Sequence, residues 1–516
     1  MSPPNSDRSQ NKYRFYAPFL DGFRGVAALG VVYAHSQVHY DQRLAVRIFD
    51  SMGAYGVYMF FVLSAFLLTF RTLLDWERYH EKQEENNVVN KVEYLKSCVD
   101  LENNLSVVPL LSLTVSDNTT NMPSLEEKQH NTFCYYIQNK IWPKFEIPIK
   151  FWLKYFLRRF MRIYPPYVIL LPFIAYNEFV RGAFKYTIGP SDLIPHLFLQ
   201  SAKFNFWTIP VEITYYFCIP IIIIGYVEFA RFGAFLTNRY FRKPAIGAWI
   251  CRIIFNVIIV TKRTDFLLAP HNIYDEDFQN NVQVFLAGSI CAIWYREIIR
   301  LGLLPLSLEE ERTQLNNSNN YNISRFIKSS FAKFIVSKLP SRHQFARCFF
   351  DCGCYFVFLL KYCTLPHPAD IVFGLPRSNY EMILERNVFG GSLDAILILF
   401  CLLSRNGTFV NTASWNFFRF CGKISFSLYL LHPISMTFVN EYIPSIGVNE
   451  RGNESDEEYK ASLIFDAIIM SYVLTIILSW LYYKFVERPS LNLANYIVKR
   501  WLDETKPEIK SDVKEN

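Results

Sequence analysis

The stretch FLDGFRGVAALGVVYAHSQVHY, residues 19–40, sets an arginine and a histidine inside an apolar run. Arg24 and His35 are eleven residues apart, just over three helical turns. They therefore face nearly the same way, ~16 Å apart along the axis. An imidazole can take and return a proton near neutrality. Polar groups on membrane helices are costly and usually face a bundle interior or a ligand path. Asp21 can neighbour Arg24 three residues later. The plainer alternatives are an interfacial Asp–Arg anchor and a packing histidine. His39 lies one turn beyond His35, towards the far interface.

Three further clusters carry chemistry. In LRRFMRIYPPY, Arg158 and Arg162 share a helix face, with Arg159 between them. Guanidinium groups match phosphate geometry, so this is a candidate mouth for an anionic ligand, or else a cytoplasmic charge cluster. Tyr164, Pro165 and Pro166 predict a rigid break directly after it. In WTIPVEITYYF, Glu212 is a lone carboxylate that needs a partner such as an arginine. Trp207 is a candidate lining or interfacial-belt residue, and Pro210 loosens the start of the helix. In GKISFSLYLLHPI, Ser425, Tyr429 and His432 fall at i, i+4 and i+7, one stripe that either lines a cavity or knits helices. Pro433 frees a backbone carbonyl next to it.

Long apolar elements must position these groups. Of 516 residues, 51% are hydrophobic and 19% charged, with 47 Phe and 32 Tyr; mean hydropathy is +0.11. So little charge cannot cover a soluble protein of this size. The expected fold is all-α, a polytopic transmembrane helical bundle with about ten spans, near 18–39, 55–70, from the end of LRRFMRIYPP to about 179, 206–229, 245–260, 282–295, 346–363, 384–403, 423–441 and 463–483. The fifth and sixth fall short of the ~20 residues a crossing needs and rest on the charge pattern. Arg231, Arg239, Arg242 and Lys243 after the fourth span, and Lys154 to Arg162 before the third, belong inside; the acidic NERGNESDEEYK belongs outside.

The predicted organisation is a cytoplasmic lead (1–17), a membrane domain (18–489) with polar inserts at about 73–150 and 296–345, and a cytoplasmic tail (490–516). Both termini are expected in the cytoplasm, with no cleavable signal peptide. The basic stretch SRFIKSSFAKFIVSKL is either a helix on the anionic inner leaflet or a solvated connector. Asn453 sits in a sequon outside, whereas Asn104, Asn118, Asn316, Asn322 and Asn406 are in sequons that this topology puts inside. The net charge of +7 reads as membrane-edge clusters, so no nucleic acid is expected as a partner. Most of the 11 cysteines read as small hydrophobes. Cys348, Cys352 and Cys354 lack a matching pair or histidine, so no metal is expected.

Together these pieces resemble the acyltransferase-3 family of integral membrane acyltransferases, and the chain looks like a fungal member. Leu20, Asp21, Gly22, Arg24, Gly25, Ala27, Ala28, Leu29 and His35 match its first motif, with the family's ten residues between Arg and His. Gly56 and Phe60–Ser64 match G-x-x-x-FFVLSGF, with Ala65 where the family has Gly, which bears on a bend there. Arg158–Tyr167 complete RR-x-x-RIYPPY. Trp207, Thr208, Ile209 and Glu212 match W-S-L-x-x-E with Thr for Ser and Ile for Leu. Gly422–Pro433 match G-K-I-S-Y-S-L-Y-L-x-H-P with Phe426 for Tyr, and Val486–Pro489 match VERP.

The resemblance implies an O-acyltransferase that moves an acyl group, acetyl in the family's best-known members, from cytoplasmic acyl-CoA to a hydroxyl of a carbohydrate, lipid or small molecule. His35 is then the expected general base, with Glu212 orienting it or holding an arginine. Arg24, Arg158, Arg159 and Arg162 are expected at the donor's phosphates, and Trp207, Ser425, Tyr429 and His432 along the acceptor route. Membrane lipid is an expected partner. The plasma membrane and the endoplasmic reticulum fit equally, and no oligomeric state follows. The same intramembrane His, Arg and Glu would serve a proton-coupled transporter, and the long loops a non-catalytic scaffold; dependence on acyl-CoA separates both from an enzyme.

Overall fold

The computed structural model describes residues 17–40, 52–105, 148–200, 203–268, 278–301, 342–362, 379–404, 407–442 and 457–502. The lead, most of both inserts with the basic stretch, the Asn453 sequon, the tail past 502 and the side chain of His39 lie outside the described residues.

Every regular element among the described residues is helical. The principal helices are α1 (Pro18–Tyr40), α2 (Met52–Leu105), α3 (Ile149–Tyr176), α4 (Glu178–Ala183), α5 (Leu193–Leu197), α6 (Thr208–Phe241), α7 (Pro244–Leu268), α8 (Phe278–Arg300), α9 (Arg342–Tyr362), α10 (Asn379–Ser404), α11 (Thr408–Ala413), α12 (Asn416–Lys423), α13 (Ser425–Tyr442), α14 (Glu457–Tyr482) and α15 (Arg488–Ile497). The chain is a polytopic membrane protein, but about ten spans is an overcount. Among the described residues five helices are long and apolar enough to cross: Tyr55–His80, Phe204–Phe241, Pro244–Phe266, Phe278–Arg300 and Ile464–Leu502.

The physical reason lies in the polar content of the others. α1 carries Asp21, Arg24 and His35, and α3 carries Lys150, Lys154 and three arginines before its apolar half. α9 contains Arg347, Asp351 and Lys361, and the described side chains of α10 include a buried Asp394. α13 buries Ser425, Ser427, His432 and Ser435. These groups raise the cost of moving their helices into the bilayer, and those that are buried are tolerated by facing other helices. The two segments that looked short, 245–260 and 282–295, do qualify, because their helices run on to 25 and 23 residues.

Packing follows from small residues and aromatic stacks. In lipid there is little hydrophobic drive between helices, so close backbone approach and hydrogen bonds hold the bundle. α1 lies against α2 and α12. A Cβ on Gly25 would overlap the Phe418 carbonyl, and one on Gly422 the Asp21 carbonyl. The glycines of the first and fifth motifs thus let two backbones touch. α2 runs as one continuous helix through Ala65, and Gly288 of α8 accepts it against Val62. Phe285 stacks between Phe61 and Tyr215, with centroids 4.3 and 4.4 Å away. Ser289 bonds both Thr69 and Tyr215 at 2.6 Å.

Gly422→Val should therefore separate α1 from α12. Overpacking costs typically 1–3 kcal/mol; since rigid backbone is the obstacle, about 3 kcal/mol or more is expected. The check is the temperature at which the detergent-solubilised protein loses its monodisperse peak on size exclusion, and an unchanged temperature would refute the close contact.

Prolines are handled in a recurring way. α3 continues through Pro165 and Pro166, so the expected break does not occur. Each proline leaves the carbonyl four residues earlier without its helix bond, and bare carbonyls are costly away from water. Ser490 Oγ donates to the Met161 carbonyl, freed by Pro165. Tyr155 donates at 3.3 Å to that of Tyr216, freed by Pro220. Asn205 Nδ2 donates at 3.1 Å to that of Tyr429, freed by Pro433. Local breaks thereby become joints between helices.

Candidate functional site

One cavity of about 890 Å³, including its open mouth, lies between α1, α2, α3, α6 and α13. Four arginines line it: Arg24 from α1, Arg71 from α2, and Arg159 and Arg162 from α3. Glu212 of α6 is the one carboxylate in the lining. Helical periodicity explains each contribution. On α2 the lining residues Val57, Phe60, Ser64, Leu67 and Arg71 form a single stripe at steps of three and four. On α3 the stripe is Arg159, Arg162 and Ile163. Arg158 falls outside it and is exposed. The expected pair at i, i+4 is replaced by Arg159 and Arg162 at i, i+3, because Tyr155 and Ile163 put that flank of α3 in the core.

The electrostatics favour an anion. Arg24 stands 3.8 Å from Asp21, feels Arg162 and Arg71 as like charges, and is offset by Glu212. Glu212 Oε1 accepts from Ser64 Oγ at 2.6 Å and Tyr216 OH at 2.8 Å. Glu487, from the VERP motif, is buried, accepts from Ser427 Oγ at 2.9 Å, and is coupled to Arg162 and Arg24. It thus adds a carboxylate within electrostatic reach of two of the cavity's arginines. A cleft lined by one sign of charge between low-dielectric walls concentrates ligands of the other. Arg159 Nε is buried with no hydrogen-bond partner in the structure, a donor in want of an acceptor.

His35 is not in this lining. Its ring stands edge-to-face on His432, centroids 4.7 Å apart at 85°, and 6.2 Å from Phe204. Phe204 holds a left-handed backbone, φ 56°, that costs a non-glycine residue of order 1–3 kcal/mol. Tyr429 belongs to both regions: it lines the cavity, and its ring centroid is 6.2 Å from that of His432. Thr208 Oγ1 donates to Tyr429 OH at 3.1 Å, and Tyr429 OH donates to the Asn205 carbonyl. The hydroxyl at position 208 thus ties the WTIPVE and GKISFS motifs, a bond that serine or threonine can make.

Of the expected site residues, Arg24, Arg159, Arg162, Glu212, Ser425 and Tyr429 share the cavity. Trp207 lies behind it, against Phe61 at 5.9 Å. His35 and His432 form a second locus, and Glu212 makes its hydrogen bonds to Ser64 and Tyr216. Sequence reasoning missed Arg71, Ser64, Tyr216 and Glu487. Arg71 was findable, since it is seven residues after Ser64 and so on the same face. Among the described residues no three potential metal-ligating side chains converge.

Residues 18–83 and 147–484 match the family model described as an acyltransferase domain, the acyltransferase-3 type. No curated protein and no solved structure matches the chain.

Proposed function

Because the chain belongs to the acyltransferase-3 family, we propose that it is a membrane-bound O-acyltransferase carrying an acyl group, acetyl first among the candidates, from acyl-CoA to a hydroxyl of a carbohydrate, lipid or small metabolite. The observation that carries this reading is the convergence of Arg24, Arg71, Arg159 and Arg162 on one cavity. Guanidinium forks suit the phosphates of coenzyme A. Glu212 lines the same cavity, and Glu487 lies within electrostatic reach of Arg162 and Arg24. The acyl end then has to extend ~16 Å along α1 to His35, passing Tyr429 and Ser425.

In the transfer, the acceptor oxygen attacks the thioester carbonyl while His35 takes the hydroxyl proton. The new C–O bond forms, the C–S bond breaks, and the proton passes on to the departing thiolate. Incubating the purified full-length protein in proteoliposomes with [¹⁴C]acetyl-CoA and a membrane extract of the source cells tests this. Label is expected to appear in a base-labile ester of an extract component. Label confined to acetyl-CoA and free acetate would refute transfer, and extract-component flux into the vesicles without acylation would establish a transporter instead.

A further inference from the structure

His432 is completely buried, and the chemistry above gives it no task. Its Nδ1 lies 2.9 Å from the Tyr429 carbonyl and 3.3 Å from that of Leu428. A carbonyl oxygen only accepts, so Nδ1 carries the hydrogen and, in the neutral ring, Nε2 carries the lone pair. The next residue explains why that carbonyl is available. Pro433 has no N–H, so Tyr429, four residues before it, receives no helix bond. The His–Pro dipeptide thereby selects a tautomer. Nε2 is shielded and has no hydrogen-bond partner in the structure. A buried acceptor left bare forfeits about 1–3 kcal/mol, and His35 is the imidazole that stands against this ring.

We propose that His432 is the positioning residue of His35: its bare Nε2 accepts an N–H from His35 and so leaves the other His35 nitrogen free for the acceptor hydroxyl. This rests on His35 being the base of the proposed reaction. In the structure the rings meet edge to face without that bond. The terminal torsion of a histidine is broad, and His35 is only half-buried, so the turn needed is one of the His35 ring. His432 itself is held by its two carbonyls. No proton moves to His432; the hydroxyl proton goes to His35 and from there to the thiolate, and Nε2 accepts a hydrogen bond throughout. A neutral acceptor does this in a low-dielectric interior without the desolvation cost of a buried carboxylate.

Two readouts test the pairing in the full-length protein in nanodiscs. Long-range ¹H–¹⁵N spectra of histidine-labelled protein should show His432 with hydrogen on Nδ1, and His432→Leu should change the tautomer of His35. A His432 protonated on Nε2, or a His35 signal indifferent to His432→Leu, overturns the inference. In acetyl transfer from labelled acetyl-CoA, His432→Leu should lower kcat about tenfold or more, with KM for acetyl-CoA unchanged. His432→Gln, whose amide oxygen can accept, should recover part of it. A loss that only tracks the amount of folded protein overturns it as well. Wild-type protein without acyl transfer would remove the proposed function, whereas the spectra decide the pairing on their own.

Discussion

Replacing His35 by alanine is expected to abolish acyl transfer while leaving the protein in the membrane at normal abundance. General base catalysis typically contributes 10²–10⁴-fold, so residual turnover of about 1% or less is anticipated. The fold should survive because the ring contributes little to the core: it is half-buried, and its neighbours His432 and Phe204 are held independently, His432 by the Tyr429 and Leu428 carbonyls and Phe204 against Phe184 at 5.7 Å. The measurement is the rate of labelled acetyl transfer per mole of monodisperse protein. Normal turnover by His35→Ala would remove His35 as the base. Loss of the protein itself would make the histidine structural.

The second large effect is on the donor. Arg24→Gln and Arg162→Gln should each raise KM for acetyl-CoA by about 10- to 100-fold. Each removes charge-assisted hydrogen bonds worth about 1.5–3 kcal/mol. Arg158→Gln should leave KM unchanged, because Arg158 is exposed outside the cavity. The contrast between neighbours on one helix separates a phosphate site from a general need for positive charge at the membrane edge. Equal effects at 158 and 162 would refute the site, as would a fall in kcat with KM constant. Binding of acetyl-CoA by calorimetry is the companion measurement, since KM equals an affinity only when chemistry is slow relative to dissociation.

Composition and apolar periodicity were enough to establish an all-helical membrane protein, and six motifs in order were enough to point to the family. Arg24, Glu212, Ser425 and Tyr429 could be singled out because a polar group on an apolar helix stands out locally. The number of crossings could not be read this way. A window of apolar residues does not say whether its polar members face lipid or another helix; α13 buries its serines and His432, and α1 and α3 turn Arg24, Arg159 and Arg162 into the cavity.

The partnerships were likewise decided by packing. Helical spacing allowed Arg158 with Arg162, but burial of Tyr155 and Ile163 chose Arg159. Glu487 stands in the sequence only as part of the VERP match, and packing gives it Ser427 as a hydrogen-bond partner and brings it within electrostatic reach of Arg162 and Arg24. Glu212 was expected either to orient His35 or to hold an arginine; it lines the cavity with the arginines, and His35 stands beside His432. The spacing of residues along one helix determines which side chains share a face. Which face meets which depends on contacts between segments hundreds of residues apart, such as Gly25 on Phe418 and Tyr429 on Asn205, and these exist only once the helices have closed on one another.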